Sequence, residues 1–174
     1  QLGKALWAVG IALIMIILYV SFAFRKVPKH VNPWRFGAVA IVALLHDVLI
    51  TAGVFAVLGL ALGVEIDALF ITAILTVLGY SVNDTIVVLD RIRENLGSDK
   101  TADTAEVADR SLNETLARSI NTSLSTLLTL IAILLFGSDS IFYFVLALTI
   151  GIGVGTYSSI FLAAPLLVSW SKKR

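Results

Sequence analysis

The chain has 174 residues, of which 58% are hydrophobic and 14% are charged, and its net charge is +1. Its mean hydropathy of +0.95 excludes an ordinary soluble domain, because a soluble domain of this length does not have so much apolar surface to bury. The absence of cysteine from the sequence excludes disulfides, thiolate nucleophiles and thiolate metal sites.

Five apolar segments are long enough to cross a bilayer as helices. The predicted spans are residues 5–24, 36–62, 68–89, 120–136 and 141–170. Each span should be helical, because its backbone groups have no water to bond in lipid. The predicted fold class is therefore all-α, a polytopic transmembrane bundle that forms one domain over residues 1–174. We expect the last span to tilt, or to bend near Pro165, because it is longer than an upright helix requires.

The connection at residues 90–117 is the only sizeable soluble segment that the sequence predicts. Gly97 and Ser98 indicate the end of a helix that continues from the third span, and the DTAE motif at residues 103–106 indicates the start of another helix. We expect this second helix to lie at the membrane interface and to lead into the fourth span. A small binding module is the alternative.

The basic residues predict how the chain crosses the membrane. If the first connection, the third connection and the tail are cytoplasmic, every Lys and Arg except Lys4 lies on the cytoplasmic side. The positive-inside rule then places the amino terminus of the chain outside and its carboxyl terminus in the cytoplasm. The first residue is Gln rather than Met, so we expect the chain to be a fragment with at least one further span upstream.

The third span contains polar residues that a lipid-facing helix would not carry. Asn83 and Asp84 lie about two thirds of the way along it, too deep for a short carboxylate to reach water. An ionised Asp at the centre of a spanning helix costs about 2.5 to 3.5 kcal/mol on insertion scales. Helical spacing places Tyr80 on the same side as Asp84, so we expect this side to face protein or water.

The fourth span carries groups that could match the acid. Arg118 is followed at helical spacing by a predicted stripe of hydroxyls, Thr122, Ser125 and Thr129. If spans three and four pack antiparallel, Arg118 can approach Asp84, and protonation of the acid would change their attraction. This pattern predicts a proton pathway. The alternative is that Arg118 is a cytoplasmic anchor and the hydroxyls only hold helices together.

Two other spans contain motifs of interest. His46 and Asp47 lie near the middle of the second span, on a small and polar face, and indicate either a proton relay or a structural contact. Gly151 and Gly155 form a GxxxG motif in the last span, which is typical of close helix packing.

The sequence also lacks the motifs of several function classes. It contains no HExxH, no P-loop and no dinucleotide-binding loop after a strand. We therefore expect no enzyme activity, no cofactor and no metal site. The basic residues are scattered as topology determinants, so we expect no nucleic-acid partner.

Three stretches resemble a known family. They are GYSVNDTIVVLDRIREN at residues 79–95, HDVLIT at residues 46–51 and LARSINTSLSTLLT at residues 116–129. With them, essentially the whole chain resembles the membrane half of the SecF family, which belongs to the resistance-nodulation-division superfamily. The resemblance implies spans two to six of a six-span half-transporter, without its exported domain. It also implies a subunit of Sec protein export in the bacterial cytoplasmic membrane, driven by the proton motive force.

The resemblance further implies roles for individual residues. Asp84 matches the family's acidic proton-pathway position and Arg118 matches the arginine before the Ser/Thr-rich span, whereas Asn83, His46 and Asp47 match motif positions with less certain roles. The implied partners are a SecD-like subunit, the SecYEG translocon, a secretory polypeptide and membrane lipid. Two alternatives stay open: half of a proton-driven small-molecule or lipid exporter, and a non-transporting scaffold of the translocon. The coupling ion also stays open.

Overall fold

The computed structural model describes residues 2–25, 32–98 and 103–171, and these residues form helices without any strand. The helices are α1 (Leu2–Ala23), α2 (Pro33–Leu62), α3 (Ala68–Ser98), α4 (Thr104–Phe136), α5 (Phe142–Ser158) and α6 (Ala164–Ser171). A 3-10 turn, Asp139–Ile141, precedes α5, and the π-helical residues Ser159–Ala163, here called the π segment, join α5 to α6.

The prediction of an all-α membrane bundle is confirmed. Within the described residues, four helical stretches are long and apolar enough to cross a membrane: Trp34–Leu62, Ala68–Ser98, Thr104–Phe136 and Asp139–Ser171. α1 adds a shorter apolar helix, Trp7–Ala23. Several residues used to predict the topology lie outside the described part, namely Lys26, Lys29, Lys100 and the basic tail at 172–174, and the Lys4 side chain is not described either.

Local sequence explains where α2 begins and ends. Asn32 caps its amino terminus, because the Asn32 side chain accepts a 3.1 Å hydrogen bond from the Trp34 backbone N–H. Pro33 occupies the first turn, where a backbone N–H would have no carbonyl of the helix to bond, so its absence costs nothing. Gly63 ends the helix in the left-handed region, with φ of 70°, and its N–H bonds to the Gly59 carbonyl.

The connection between the third and fourth spans is largely helical. α3 continues through residue 98, and α4 runs unbroken from residue 104 to residue 136. Residues 104–117 are therefore the first turns of the spanning helix itself and not a separate interfacial helix. Asp103 stands at the N-cap position, but its side chain makes no cap hydrogen bond.

The centre of the bundle is formed by α3 and α5, which run parallel to each other. Matching contacts advance together along both helices, with Gly151 near Val77 and Gly155 near Ser81. α2 and α4 pack antiparallel on this pair, and α1 lies outside against α2 and α3. Two pairs of tilted phenylalanine rings hold α2 near its ends, Phe24 with Phe36 and Phe55 with Phe70.

A polar junction joins the end of α3 to the start of α4. The Asn95 amide donates hydrogen bonds of 2.9 Å to the Ser111 hydroxyl and to a Glu114 carboxylate oxygen. Arg91 also donates to Glu114, at 2.6 Å. Together with the bond between the Tyr80 and Thr126 hydroxyls, at 3.2 Å, these contacts set the register of the two helices.

We expect Asn95→Ala to lower the free energy of unfolding by about 1 to 3 kcal/mol, because it removes a buried donor from two acceptors. Asn113→Ala is the matched control, since the exposed Asn113 amide donates only to the Asp109 carbonyl of its own helix. Thermal unfolding in detergent, followed by tryptophan fluorescence, compares the two variants. Equal unfolding temperatures would contradict a stabilising role for the junction.

Candidate functional site

Asp84 lies on the side of α3 that packs against α5. It is 8% exposed, and its carboxylate accepts a 2.6 Å hydrogen bond from the Ser159 hydroxyl. Ser159 is fully buried and is the first residue of the π segment. The hydrogen-bond partner of Asp84 thus comes from the last span and not from α4.

Asp47 is enclosed even more completely, with a side-chain exposure of 0%. One carboxylate oxygen lies 3.0 Å from His46 Nδ1, and the other accepts hydrogen bonds from the hydroxyls of Ser81 and Ser158, the latter at 2.8 Å. The His46 side chain is 31% exposed. Side chains of three helices, α2, α3 and α5, therefore meet at one carboxylate.

Small residues on α5 allow the close approach that brings these partners together. A Cβ atom on Gly151 would overlap the Val77 side chain, and one on Gly155 would lie 3.1 Å from the Ser81 Cβ atom. Any larger residue would push α3 away from α5. The GxxxG motif therefore lies at the interface that leads to the two carboxylates.

The π segment directly follows this interface. Its wider turns occur just before Pro165, which has no backbone N–H to donate to the preceding turn. Single π turns often occur at functional sites in helices. Here the π segment begins at the serine that binds Asp84, so the irregular backbone and the buried acid coincide.

Arg118 does not form an ion pair with Asp84 in this structure. Among the described residues, the ion pairs closer than 4.0 Å include neither Arg118 nor Asp84. Arg118 is exposed, and it lines a groove of about 370 Å³ between α3 and α4 together with three acids, Asp90, Glu94 and Glu114. Arg91 lines the same groove and pairs with Glu94 and Glu114, at 2.7 and 2.6 Å.

The register of α3 and α4 gives the separation of the predicted pair along the helix axis. Tyr80 lies opposite Thr126 and Asn95 opposite Ser111, which places Asp84 at the level of residue 122. Arg118 is four residues from that level, or about 6 Å along the axis at 1.5 Å per residue. This offset alone is shorter than an extended Arg side chain, which can carry its charge away from its own backbone position.

Asn83 faces away from the site. It is exposed and lines a groove of about 430 Å³ between α1 and α3, next to Met15 and Tyr19. Consecutive helical residues point about 100° apart, so Asn83 and its neighbour Asp84 have different surroundings. The two residues that the sequence presents as a pair are thus separated by the fold.

The hydroxyl stripe of α4 also differs from its prediction. Thr122, Ser125 and Thr129 are exposed, and the Ser125 and Thr129 hydroxyls donate to carbonyls of their own helix. The buried ridge of α4 is Ser111, Thr115, Ser119 and Ser123. The two stripes both repeat every turn, and an error of one residue rotates the predicted face by about 100°.

The buried ridge of α4 contains unusual hydroxyls. Those of Ser119 and Ser123, like that of Thr85 on α3, have no hydrogen-bond partner among the described residues. Tyr80, by contrast, bonds to Thr126 across the helix interface. The polar interior of the bundle is thus larger than the two carboxylates alone.

The site can hold or release protons, since a buried carboxylate bonded to hydroxyls accepts as an anion and also donates once it is protonated. Within the described residues, no group of three or more His, Cys, Asp or Glu side chains could hold a metal ion. The groups that the geometry brings together are two carboxylates, three serine hydroxyls and one imidazole.

Comparison with known proteins identifies the family. The family model described as protein export membrane protein SecD/SecF, C-terminal, matches residues 2–173. The chain belongs to the SecD/SecF family. The resemblance drawn from the three sequence stretches is thereby confirmed.

Several SecF relatives are similar along nearly the whole chain. Protein translocase subunit SecF of Thermobaculum terrenum is 53% identical over 98% of the chain, and that of Synechocystis is 49% identical over 99%. The chain covers 53% and 54% of these two proteins, so it spans about half the length of the curated relatives it matches.

Longer relatives named SecDF contain a similar region. Protein translocase subunit SecDF of Thermus thermophilus is 44% identical over 98% of the chain, which covers 22% of that protein. A crystal structure of SecDF in its super-membrane-facing form matches with a TM-score of 0.81 and 44% identity, over 93% of this chain and 20% of that one. Sequence and fold thus agree on the SecD/SecF family.

Three serines of this SecD/SecF chain were missed as site residues from the sequence. Ser81, Ser158 and Ser159 supply the hydroxyl donors of the two carboxylates. One signal could have found the last of them, because Gly151, Gly155 and Ser159 repeat every four residues and share a helix face. Serine is too common in spanning helices for the other two to stand out.

Proposed function

We propose that this chain is the membrane half of a SecF-type subunit that uses the proton motive force to assist polypeptide translocation across the bacterial cytoplasmic membrane. Its family and the names of its relatives support a role in Sec protein export. The proposed role is coupling and not enzymatic catalysis. The amino-terminal end of the chain lies outside and the carboxyl-terminal end in the cytoplasm, as the distribution of Lys and Arg favours.

The proposed partners follow from the same comparison. Similarity to the much longer SecDF proteins supports a SecD-like half beside this chain. The SecYEG translocon, a secretory polypeptide and membrane lipid are the further partners that a protein-export role requires.

The burial of Asp84 in a spanning helix is the observation that carries the proton-driven part. An ionised Asp at this position costs several kcal/mol unless partners offset it, and one hydroxyl is a modest offset. A group kept at such a cost is a functional candidate by default. Asp84 is the proposed site of proton uptake and release.

The proposed working cycle has two arrangements. In the observed one, Asp84 is held by Ser159 while Arg118 lies in the groove with the acids. When Asp84 is ionised, it attracts Arg118, whose position on α4 is offset from it by about 6 Å along the helix axis. Protonation removes that attraction, so spans three and four shift relative to each other.

The free energy released when one proton crosses the membrane is enough to shift a two-state conformational equilibrium only modestly. One elementary charge that crosses the membrane field is worth about 2.3 kcal/mol per 100 mV. A ligand must discriminate by about 5.5 kcal/mol to reverse a two-state equilibrium from 1:99 to 99:1. Either the two states differ little in free energy, or more than one proton moves in each cycle.

Export into inverted membrane vesicles tests the proposal. We expect vesicles that contain the intact protein to protect more preprotein from protease than vesicles that lack it, but only while a proton gradient is present. A protonophore should remove this difference, whereas a sodium ionophore should leave it. Comparison with vesicles lacking the protein corrects for effects of the gradient on the rest of the translocon.

A non-transporting scaffold is the second candidate, because Arg118 is not paired with Asp84 in the observed conformation. In that case the serines would satisfy the acids only for packing. Stimulation of export that survives the protonophore would favour the scaffold over the proton-driven subunit.

A further inference from the structure

Asp47 has the most complete set of donors of any buried acid in the described part of the chain. Both of its oxygens are occupied, one by His46 Nδ1 and the other by the Ser81 and Ser158 hydroxyls. Hydrogen bonds from several donors stabilise the ionised form of a buried carboxylate. If Asp47 takes up a proton, at least one of these donors must turn away or become an acceptor.

His46 offers a route for that proton. Its ring is partly exposed while the carboxylate beside it is fully buried. A proton bound at Nε2 makes the ring an imidazolium, and the Nδ1 proton can then pass to the Asp47 oxygen 3.0 Å away. The ring is left neutral with its proton on Nε2, so one proton enters and one is transferred.

The two buried acids are held by consecutive residues of the same backbone. Ser158, the last residue of α5, binds Asp47, and Ser159, the first residue of the π segment, binds Asp84. Because the serines are adjacent, a change of backbone conformation at one alters the position of the other. The backbone hydrogen bonds of a π turn span five residues instead of four, so a change between π and α geometry would rotate the residues that follow it.

We propose that Asp47 is a second proton-exchanging carboxylate and that the Ser158–Ser159 pair at the start of the π segment couples it to Asp84. The inference deepens the proposed function, on which its role in transport rests. Proton uptake by one acid weakens its serine bond, moves the π segment and changes the hydrogen bond of the other acid. The two groups then titrate as a pair and not as independent sites.

The surroundings of both acids are consistent with such coupling. Asp47 faces His46 from its own helix, Ser81 from α3 and Ser158 from α5. Asp84 faces Ser159, and the titratable Tyr80 lies one turn away on α3. No Lys or Arg of the described residues forms an ion pair with either acid. Two short paths therefore connect them, the adjacent Ser158 and Ser159 and the α3 turn from Ser81 to Asp84, and Ser158→Ala changes only the first.

Infrared difference spectroscopy of the intact protein in lipid vesicles tests the coupling. The carbonyl band of each protonated acid is followed between about pH 2 and about pH 9, a range that brackets the ordinary pKa values of Asp and His. Asp47→Asn and Asp84→Asn assign the two bands by their loss. We expect Asp47→Asn to shift the midpoint of the Asp84 band by about one pH unit, a tenfold change in proton affinity.

Ser158→Ala keeps both acids and removes only one donor. We expect it to shift the Asp47 band and, through the π segment, the midpoint of the Asp84 band. Thr156→Val is the matched control, because the Thr156 hydroxyl donates only to the Ile152 carbonyl of α5. An Asp84 midpoint that is the same in wild type, Asp47→Asn and Ser158→Ala would overturn the coupling.

Absence of any band assignable to Asp47 across the titration would overturn the second site. Neither result depends on export, so the coupling can fail while the proposed function holds. The reverse is also distinguishable, since coupled bands with export indifferent to the proton gradient would refute only the proposed function.

Discussion

Asp84→Asn is expected to abolish the part of export that depends on the proton gradient, while the protein still inserts and folds. Asn has the same shape as Asp, and its amide oxygen can accept the Ser159 hydroxyl bond, so the contact between α3 and the π segment is kept. The amide cannot take up or release a proton. Preprotein protected in inverted vesicles should therefore fall to the amount found in vesicles that lack the protein.

Asp139→Asn is the matched control for this experiment. Asp139 is an exposed acid in the 3-10 turn before α5, so its loss removes the same charge without touching the buried site. We expect normal gradient-dependent export from this variant. Normal stimulation in Asp84→Asn as well would contradict proton exchange at Asp84 and leave the acid with a packing role.

Gly151→Leu is expected to lower the free energy of unfolding by about 3 kcal/mol or more. Overpacking typically costs about 1 to 3 kcal/mol, and here even a Cβ atom would overlap the Val77 side chain, so a Leu requires Val77 and the adjoining part of α3 to shift. The same movement would separate Asp84 from Ser159. Thermal unfolding in detergent measures the stability, and the fraction of folded protein after extraction provides a second reading.

Gly153→Leu makes the same substitution two residues away on the same helix. A Cβ atom on Gly153 would meet nothing within 4 Å, and Leu is a better helix former than Gly. We expect this variant to be as stable as wild type or slightly more stable. Equal destabilisation of both variants would mean that helix propensity or insertion, and not contact with α3, explains the effect.

Much of the fold could be predicted because its causes are local. Runs of apolar residues identify the spanning helices, and short polar signals identify their ends. Asn32, Pro33 and Gly63 act within a few residues of their own position, so no distant contact is needed to interpret them. The points where one helix ends and the next begins are harder to predict. The start of α4 at residue 104 depends on how many polar residues the helix includes beyond its apolar span.

The candidate site was predicted only in part. The burial of Asp84 and Asp47 can be predicted from the sequence, because each acid lies within an apolar span and a carboxylate is costly to place in lipid. Their partners do not follow in the same way. Asp84 and Ser159 are 75 residues apart, and Asp47 and Ser158 are 111 residues apart, so only the packing of α5 between α2 and α3 decides that they meet.

The errors on α3 and α4 have a common physical reason. Helical spacing tells which residues share a side, but it does not tell which side faces the bundle when polar residues occur on both. A hydroxyl can donate its hydrogen bond to a carbonyl of its own helix, as those of Ser125 and Thr129 do. Such a residue therefore does not need a polar group on a neighbouring helix.

The sequence by itself determined that this protein is a helical membrane bundle with buried acids, because hydropathy and the cost of an intramembrane charge are properties of each segment alone. Only the tertiary structure decided which hydroxyls hold those acids and that Arg118 lies in a separate groove. Those contacts depend on the rotation and register of one helix against another. Small changes in either move a side chain from one neighbour to the next.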